Sequence, residues 1–378
     1  MMTLHADRVY VDGAFREAYV TCENGRITGV TGERPAGEVR ELGAAMLIPG
    51  LIDAHTHGAA GVDVNAADAE GLRTIARFFA SQGTTAWLAS VLTDTEETTA
   101  GCLAAIRSVM DEGSGGAQLM GAHLEGPFLA PAYKGAMPEH LLRKGDAALL
   151  RRYQQAFPGV VKYLTVSPEV EGVPEMIREV KDDVAVAIGH SGATHALAME
   201  AFAAGARCAT HTFNAMRPLH HHEVGIAGAA LESDCWCEMI CDGCHLAPAT
   251  VRLIIKCKGL ERVMAVTDSI MAAGLPDGNY KLGVNDVVVE DGDAKLADTG
   301  VRAGSTLTTG QALRNLVKFT GRPLEEIIPV MTANPAAALR IDDRKGRIAP
   351  GMDADFVVLD DALTVRETIV AGETVYSA

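Results

Sequence analysis

Two histidines one residue apart, His55 and His57, close an apolar run that starts at Met46 and turns through Pro49-Gly50. On an extended strand alternate side chains share a face, so both imidazoles can converge on one cation. Alone, such a pair more often faces solvent. Here it has company, because candidate ligands recur at the ends of later apolar runs: His123-Leu124-Glu125, Gly189-His190, Thr210-His211, Cys244-His245 and Thr267-Asp268. His55, His57, Glu125, His190 and His211 together offer imidazole nitrogens and a carboxylate, a donor set suited to one or two divalent ions, Zn²⁺ first, with Fe²⁺, Co²⁺ or Mn²⁺ as alternatives. Asp268, placed beside such an ion, can take a proton from water and return it to a leaving amine. Its bland alternative is to cap the following segment as Asp-Ser. An imidazole at His245 can polarise a substrate carbonyl.

Ligands scattered along the chain yet all at strand ends are what a (β/α)₈ barrel gathers on one face. The middle of the sequence alternates accordingly. Apolar runs at Thr84–Ser90, Gln118–His123, Val160–Val166, Val184–His190, Arg207–His211, Cys237–Asp242 and Val263–Asp268 are separated by helical patterns. Counted from Ile48, they make about eight parallel strands buried on both faces. The two ends differ. Short β segments around Asp12-Gly13 and Asn24-Gly25, and again from Gly346 to Gly372, predict a small β-sandwich domain assembled from both termini. The expected division is 1–48 and 342–378 for that domain and 49–341 for the barrel, with a β insertion near 278–300 and helices at 309–320 and 323–338.

Composition bounds the partners. The 378-residue chain carries a formal charge of −16, which argues against nucleic acid and makes any anionic small molecule depend on local positive charge. The N-terminal residues lack a basic start followed by a long apolar stretch, so neither an export signal nor a membrane span is expected, and the expected address is the cytoplasm. In that setting the eight cysteines are expected as thiols. Cys241-Asp242-Gly243-Cys244 has zinc-like spacing, but most of Cys235, Cys237, Cys241 and Cys244 lie along one expected strand and cannot easily share a tetrahedral ion, so buried thiols are the better reading.

The stretches His55-Thr56-His57-Gly58, His123-Leu124-Glu125-Gly126-Pro127-Phe128, Gly189-His190-Ser191-Gly192, Thr210-His211-Thr212-Phe213-Asn214-Ala215-Met216, Asp242-Gly243-Cys244-His245 and Thr267-Asp268-Ser269 together resemble the amidohydrolase superfamily, and within it the N-acetylglucosamine-6-phosphate deacetylases. The likeness spans essentially the whole chain. It implies a metal site of Glu125, His190 and His211, a second position at His55 and His57, Asp268 as acid/base, and His245 on the acetamido carbonyl. It further implies that Asn214 and the Ala215 backbone contact the sugar or its phosphate, that Gly304–Leu307 lines the sugar pocket, and that the enzyme is a homodimer acting on a small amino sugar. Two positions depart from the family. Its usual Arg-Glu-Pro-Gly, whose Arg reaches a neighbouring subunit's phosphate, is His222-Glu223-Val224-Gly225 here, and Met137 stands where some members place a His. A histidine holds phosphate less firmly than an Arg fork. Arg217, His220 and His221 are the expected compensation, and a non-phosphorylated or different N-acetyl amino sugar is the second reading. A cyclic-amide hydrolase would place a lysine at the end of strand four, where Thr165-Val166-Ser167-Pro168 stands, and a non-catalytic scaffold would show gaps among the ligands.

Overall fold

The computed structural model describes residues 1–378. Eight parallel strands follow one another around a barrel: β1 (Leu51–Asp53), β2 (Thr84–Leu92), β3 (Gln118–Glu125), β4 (Val161–Val166), β5 (Ala185–Ile188), β6 (Cys208–Ala209), β7 (Trp236–Ile240) and β8 (Val263–Val266). A helix follows each strand, from Ala69–Ser81 after β1 to Thr309–Thr320 after β8. The first helix shows the local logic. Asp68 caps it by accepting from Gly71 N, and Leu72, Ile75, Ala76, Phe79 and Ala80 are buried at helical spacing against the strands. All nine residues of β2 are buried, as a strand covered on both faces requires.

The ring closes at the strand ends. Asp268 N donates to His55 O at 2.8 Å, and His57 N donates to Ser269 O at 2.7 Å, joining the residues beyond β8 to those beyond β1. Asp53 reinforces the seam by accepting from Thr267 Oγ1 at 2.6 Å and from Thr267 N at 3.2 Å.

A second sheet takes strands from both termini. Met46–Pro49 lies between Met2–Val11, to which it runs parallel, and Phe356–Leu359, to which it runs antiparallel. Its hairpins turn at Asp12-Gly13 and Asn24-Gly25 with positive φ at both residues, the twist that suits tight β-hairpins. Fourteen buried residues, including Leu4, Val20, Leu47 and Phe356, form a core separate from that of the barrel. Gly50 carries the chain from this sheet into β1, where a Cβ would lie 1.9 Å from Thr85 Oγ1.

Three sequence expectations are corrected. The count of barrel strands starts at Leu51 and not at Ile48, because Ile48 pairs with Val357 in the terminal sheet. Strand β6 spans only Cys208–Ala209, because Thr210 and His211 turn away, His211 with φ +26°. The expected helix 323–338 is broken into Leu324–Ile327, a 3₁₀ turn at Ile328–Met331 and Ala333–Ala338. Pro329 and Pro335 lack the N–H that a continuous helix needs. The insertion appears as Gly278–Leu282, Asn285–Glu290 and Asp293–Leu296, an antiparallel sheet. Cys235, Cys237 and Cys241 are buried free thiols, and Cys244 is exposed. No helix is long and apolar enough to cross a membrane.

Lys345, at the passage from the barrel to the C-terminal strands, is buried with Asp355 at 2.6 Å and Asp353 at 3.0 Å. Asp353 also meets Arg26 and Arg344, whereas Lys345 is the cation paired with Asp355. Lys345→Met leaves that carboxylate buried without a counter-charge and is expected to lower stability by about 3 kcal/mol in urea denaturation.

Candidate metal centre and active site

The side chains expected to gather do meet at the mouth of the barrel. Glu125, at the end of β3, is buried among four imidazoles. Its Oε1 lies 3.0 Å from His190 Nε2, 3.2 Å from His211 Nε2 and 3.4 Å from His55 Nε2, and its Oε2 lies 3.2 Å from His57 Nε2. Asp268 Oδ1 stands 3.4 Å from His55 Nε2 and 3.2 Å from His57 Nε2. Two groups of three ligand atoms therefore share Glu125: one with His55 and His57, the other with His190 and His211. His190, His211 and Asp268 all have positive φ. Non-glycine residues rarely hold that conformation, and here it turns each side chain from the strand end into the site.

Three of the four outer ring nitrogens are already engaged, and that of His211 is buried without a partner. His55 Nδ1 meets Glu238 Oε2 at 3.1 Å, His57 Nδ1 meets Ser90 O at 3.1 Å, and His190 Nδ1 meets Tyr133 O at 2.8 Å. With these nitrogens donating, the Nε2 lone pairs point inward. His190 and His211 then face each other Nε2 to Nε2 at 3.0 Å, and His55 and His57 do so at 3.2 Å. Lone pairs so close to one another and to a carboxylate repel unless a positive charge lies between them, so this nitrogen and oxygen donor set fits a divalent cation.

The electrostatics agree in sign. Burial by itself lowers the proton affinity of His55 and His57, but Asp268 and Glu125 outweigh it, raising His55 well above its ordinary value and His57 to about 9. Burial would raise Glu125 and Asp268, and His55 with its neighbouring imidazoles instead holds both below the usual carboxylate range. A field that concentrates protons here favours any cation that replaces them.

Two buried acids support this arrangement and were not singled out from the sequence. Glu238, in β7, accepts from Tyr163 Oη at 2.6 Å and from His211 N at 2.9 Å besides meeting His55. Asp53, fully buried, is pushed up to about 6 by burial, against the hydrogen bonds it accepts from Thr267. The signal for both was an acid inside an otherwise apolar strand. His123 is no ligand. It sits deeper in the barrel, between Ser90 Oγ at 2.9 Å and Thr165 Oγ1 at 2.8 Å, and burial with the His55 charge holds it well below its ordinary value.

Above the acids and imidazoles opens a cavity of about 460 Å³. His245, Asn214, Ala215 and Met137 line it, as do Lys295 from the insertion and Arg302 from the segment that returns beside it. His245 Nδ1 bonds Asp242 Oδ2 at 2.6 Å; burial lowers its proton affinity, and the Asp242 carboxylate more than restores it, so the net shift is upward. Arg217, His222 and Leu307 do not line this cavity. His222 is exposed and packs at a tilt against His220 and His221, Arg217 lies against Gly225, and Leu307 is buried in the barrel core.

Residues 46–375 match the amidohydrolase family. The chain is 36% identical over 370 residues to N-acetylglucosamine-6-phosphate deacetylase of Bacillus subtilis (strain 168), covering 96% of this chain and 93% of that protein. It is 37% identical over 337 residues to N-acetylgalactosamine-6-phosphate deacetylase of Escherichia coli O157:H7, covering 89% of each. Among solved structures, a mutant N-acetyl-D-glucosamine-6-phosphate deacetylase from Mycobacterium smegmatis, in complex with N-acetyl-D-glucosamine-6-phosphate, superposes with a TM-score of 0.93 at 34% identity, covering 100% of this chain and 99% of the other.

Glu238→Gln removes a charge that orients His55 and His211 without touching the inward-facing nitrogens. It is expected to weaken Zn²⁺ binding ~10- to 100-fold in competition with a chromophoric chelator.

Proposed function

The chain belongs to the amidohydrolase family, and from that membership we propose that it hydrolyses the acetamido group of N-acetylglucosamine 6-phosphate to glucosamine 6-phosphate and acetate. The observation that carries this reading is the convergence of Glu125, His190, His211 and Asp268 beneath a sugar-sized cavity.

Glu125, His190 and His211 would hold one divalent ion and His55 with His57 a second, Zn²⁺ foremost and Fe²⁺, Co²⁺ or Mn²⁺ as alternatives; when bound, such an ion supplies Lewis acidity that makes water acidic and polarises the amide carbonyl. Asp268 is the acid/base. It accepts one proton of the attacking water as the new C–O bond forms and gives it to the nitrogen as the C–N bond breaks; the remaining hydroxyl proton passes from the new carboxyl to the amine, so acetate and an ammonium group leave with the protons balanced. His245 donates to the carbonyl oxygen as negative charge grows there, and Asp242 fixes that imidazole's orientation and proton. Asn214, Ala215 and Met137 form the sugar wall. We further propose a homodimer, a cytoplasmic location, and a division into a terminal β domain of residues 1–48 and 342–378 around the barrel.

Two observations support a second reading on substrate identity. The similarity to N-acetylgalactosamine-6-phosphate deacetylase favours a test of the C4 epimer. The exclusion of Arg217 from the cavity, together with a histidine at 222 in place of the family's Arg, favours a test of the free sugars.

Acetate release from N-acetylglucosamine 6-phosphate, its galactosamine epimer and both free sugars decides among these, with the first expected to have the highest kcat/KM. Asp268→Asn is expected to lower kcat ~10³-fold in the same assay. The raised proton affinity of His245 keeps its imidazolium above the ordinary histidine range, so activity is lost as pH rises through that value. Asp242, Asp268 and Arg302 are the charges that act on this ring. Asp242→Asn removes the cause of the rise, and the alkaline limb of kcat against pH is expected to move to lower pH.

A further inference from the structure

An anion entering this cavity meets Glu125 and Asp268 at the floor, in a chain whose net charge is −16. The only Lys or Arg side chains lining it are Lys295 and Arg302. Lys295 is on the last strand of the β insertion and Arg302 is on the segment that returns beside it, and their position follows from strand geometry. Lys295 and Arg302 are paired directly across an antiparallel bridge, so their side chains leave the same face. Asp293, two residues before Lys295, shares that face, while Ala294 and Leu296 point the other way into a small apolar core.

The three charges form an ordered group. Arg302 donates from Nε and Nη2 to the two oxygens of Asp293 at 2.8 and 3.0 Å, and Lys295 Nζ lies 3.0 Å from Asp293 Oδ2. The carboxylate occupies one edge of the guanidinium and leaves Nη1 free, and two of the three ammonium protons are likewise uncommitted. Two cations against one acid leave a surplus positive charge on the wall, opposite the carboxylates of the floor. That polarity orients a sugar carrying an amide at one end and a dianion at the other, with the amide down and the dianion toward the insertion.

We propose that Lys295 and Arg302 are specificity-determining residues that hold the 6-phosphate of the substrate from within the same subunit. The inference rests on the deacetylase reading for its substrate, but it concerns phosphate recognition alone.

The test uses the full-length, Zn²⁺-loaded enzyme with Arg302→Gln, Lys295→Gln, the double variant and Arg302→Lys. For N-acetylglucosamine 6-phosphate, KM is expected to rise ~10-fold in each Gln variant and further in the double, with the effect on KM rather than kcat. The ratio of kcat/KM for phosphorylated over free sugar falls in step, and Arg302→Lys, which keeps the charge but loses the fork, restores part of it. Equal changes for the two sugars, or no change for either, overturn the proposal. Calorimetric binding of inorganic phosphate reads the same cations without turnover. Weaker binding in the Gln variants supports the proposal, and undiminished binding, or none to the unaltered protein, overturns it. Failure of the unaltered enzyme to release acetate while phosphate binding still depends on Arg302 overturns the deacetylase reading and leaves the anion site standing.

Discussion

A carboxylate buried among four imidazoles is tolerable only when positive charge is held between them, and Glu125 is in that position. Its oxygens lie within 3.4 Å of His55, His57, His190 and His211, at a depth where water cannot screen them. The residues around this point are fixed to keep the inward nitrogens aimed there. Glu238 spans His55 and the His211 backbone, Tyr133 O takes the outer nitrogen of His190, and Ser90 O takes that of His57. The scaffold thus concentrates negative potential at one spot on the rim and surrounds it with ligand nitrogens.

The barrel and the site stabilise each other through the same atoms. The seam between the residues after β1 and those after β8 runs through the backbones of His55, His57, Asp268 and Ser269. Asp53 ties both edges from below. Closing the barrel therefore sets the distance from Asp268 to the two histidines, and loosening that seam moves the acid/base away from the ligands. The terminal sheet anchors the entry to β1 through Gly50, whose N donates to Asp355 O at 3.0 Å.

Much of this was legible because periodicity carries it. His55 and His57 share a face through the two-residue repeat of an extended chain, and the other ligands stood out as polar residues ending apolar runs. The hairpins at Asp12-Gly13 and Asn24-Gly25 were legible through the backbone freedom those residues have. What escaped the sequence depends on chain segments folding back. Lys295 and Arg302 face the cavity only because the insertion lies over the barrel mouth, which no local pattern encodes. Arg217 and His222, though near the Asn214-Ala215 stretch in sequence, leave the cavity because the chain turns outward after Met216. Glu238 and Asp53 were legible in principle, since a buried acid in an apolar strand needs a partner. Reading residues 323–338 as one helix passed over Pro329 and Pro335.

The central claim is that Glu125, His190 and His211 share a cation, and crystals grown with Zn²⁺ test it most directly by anomalous scattering at the zinc edge. The expected result is a peak within ~2.3 Å of Glu125 Oε1 and of the Nε2 atoms of His190 and His211. A zinc-saturated crystal with no peak between these three side chains, or with its zinc elsewhere on the protein, would contradict the account.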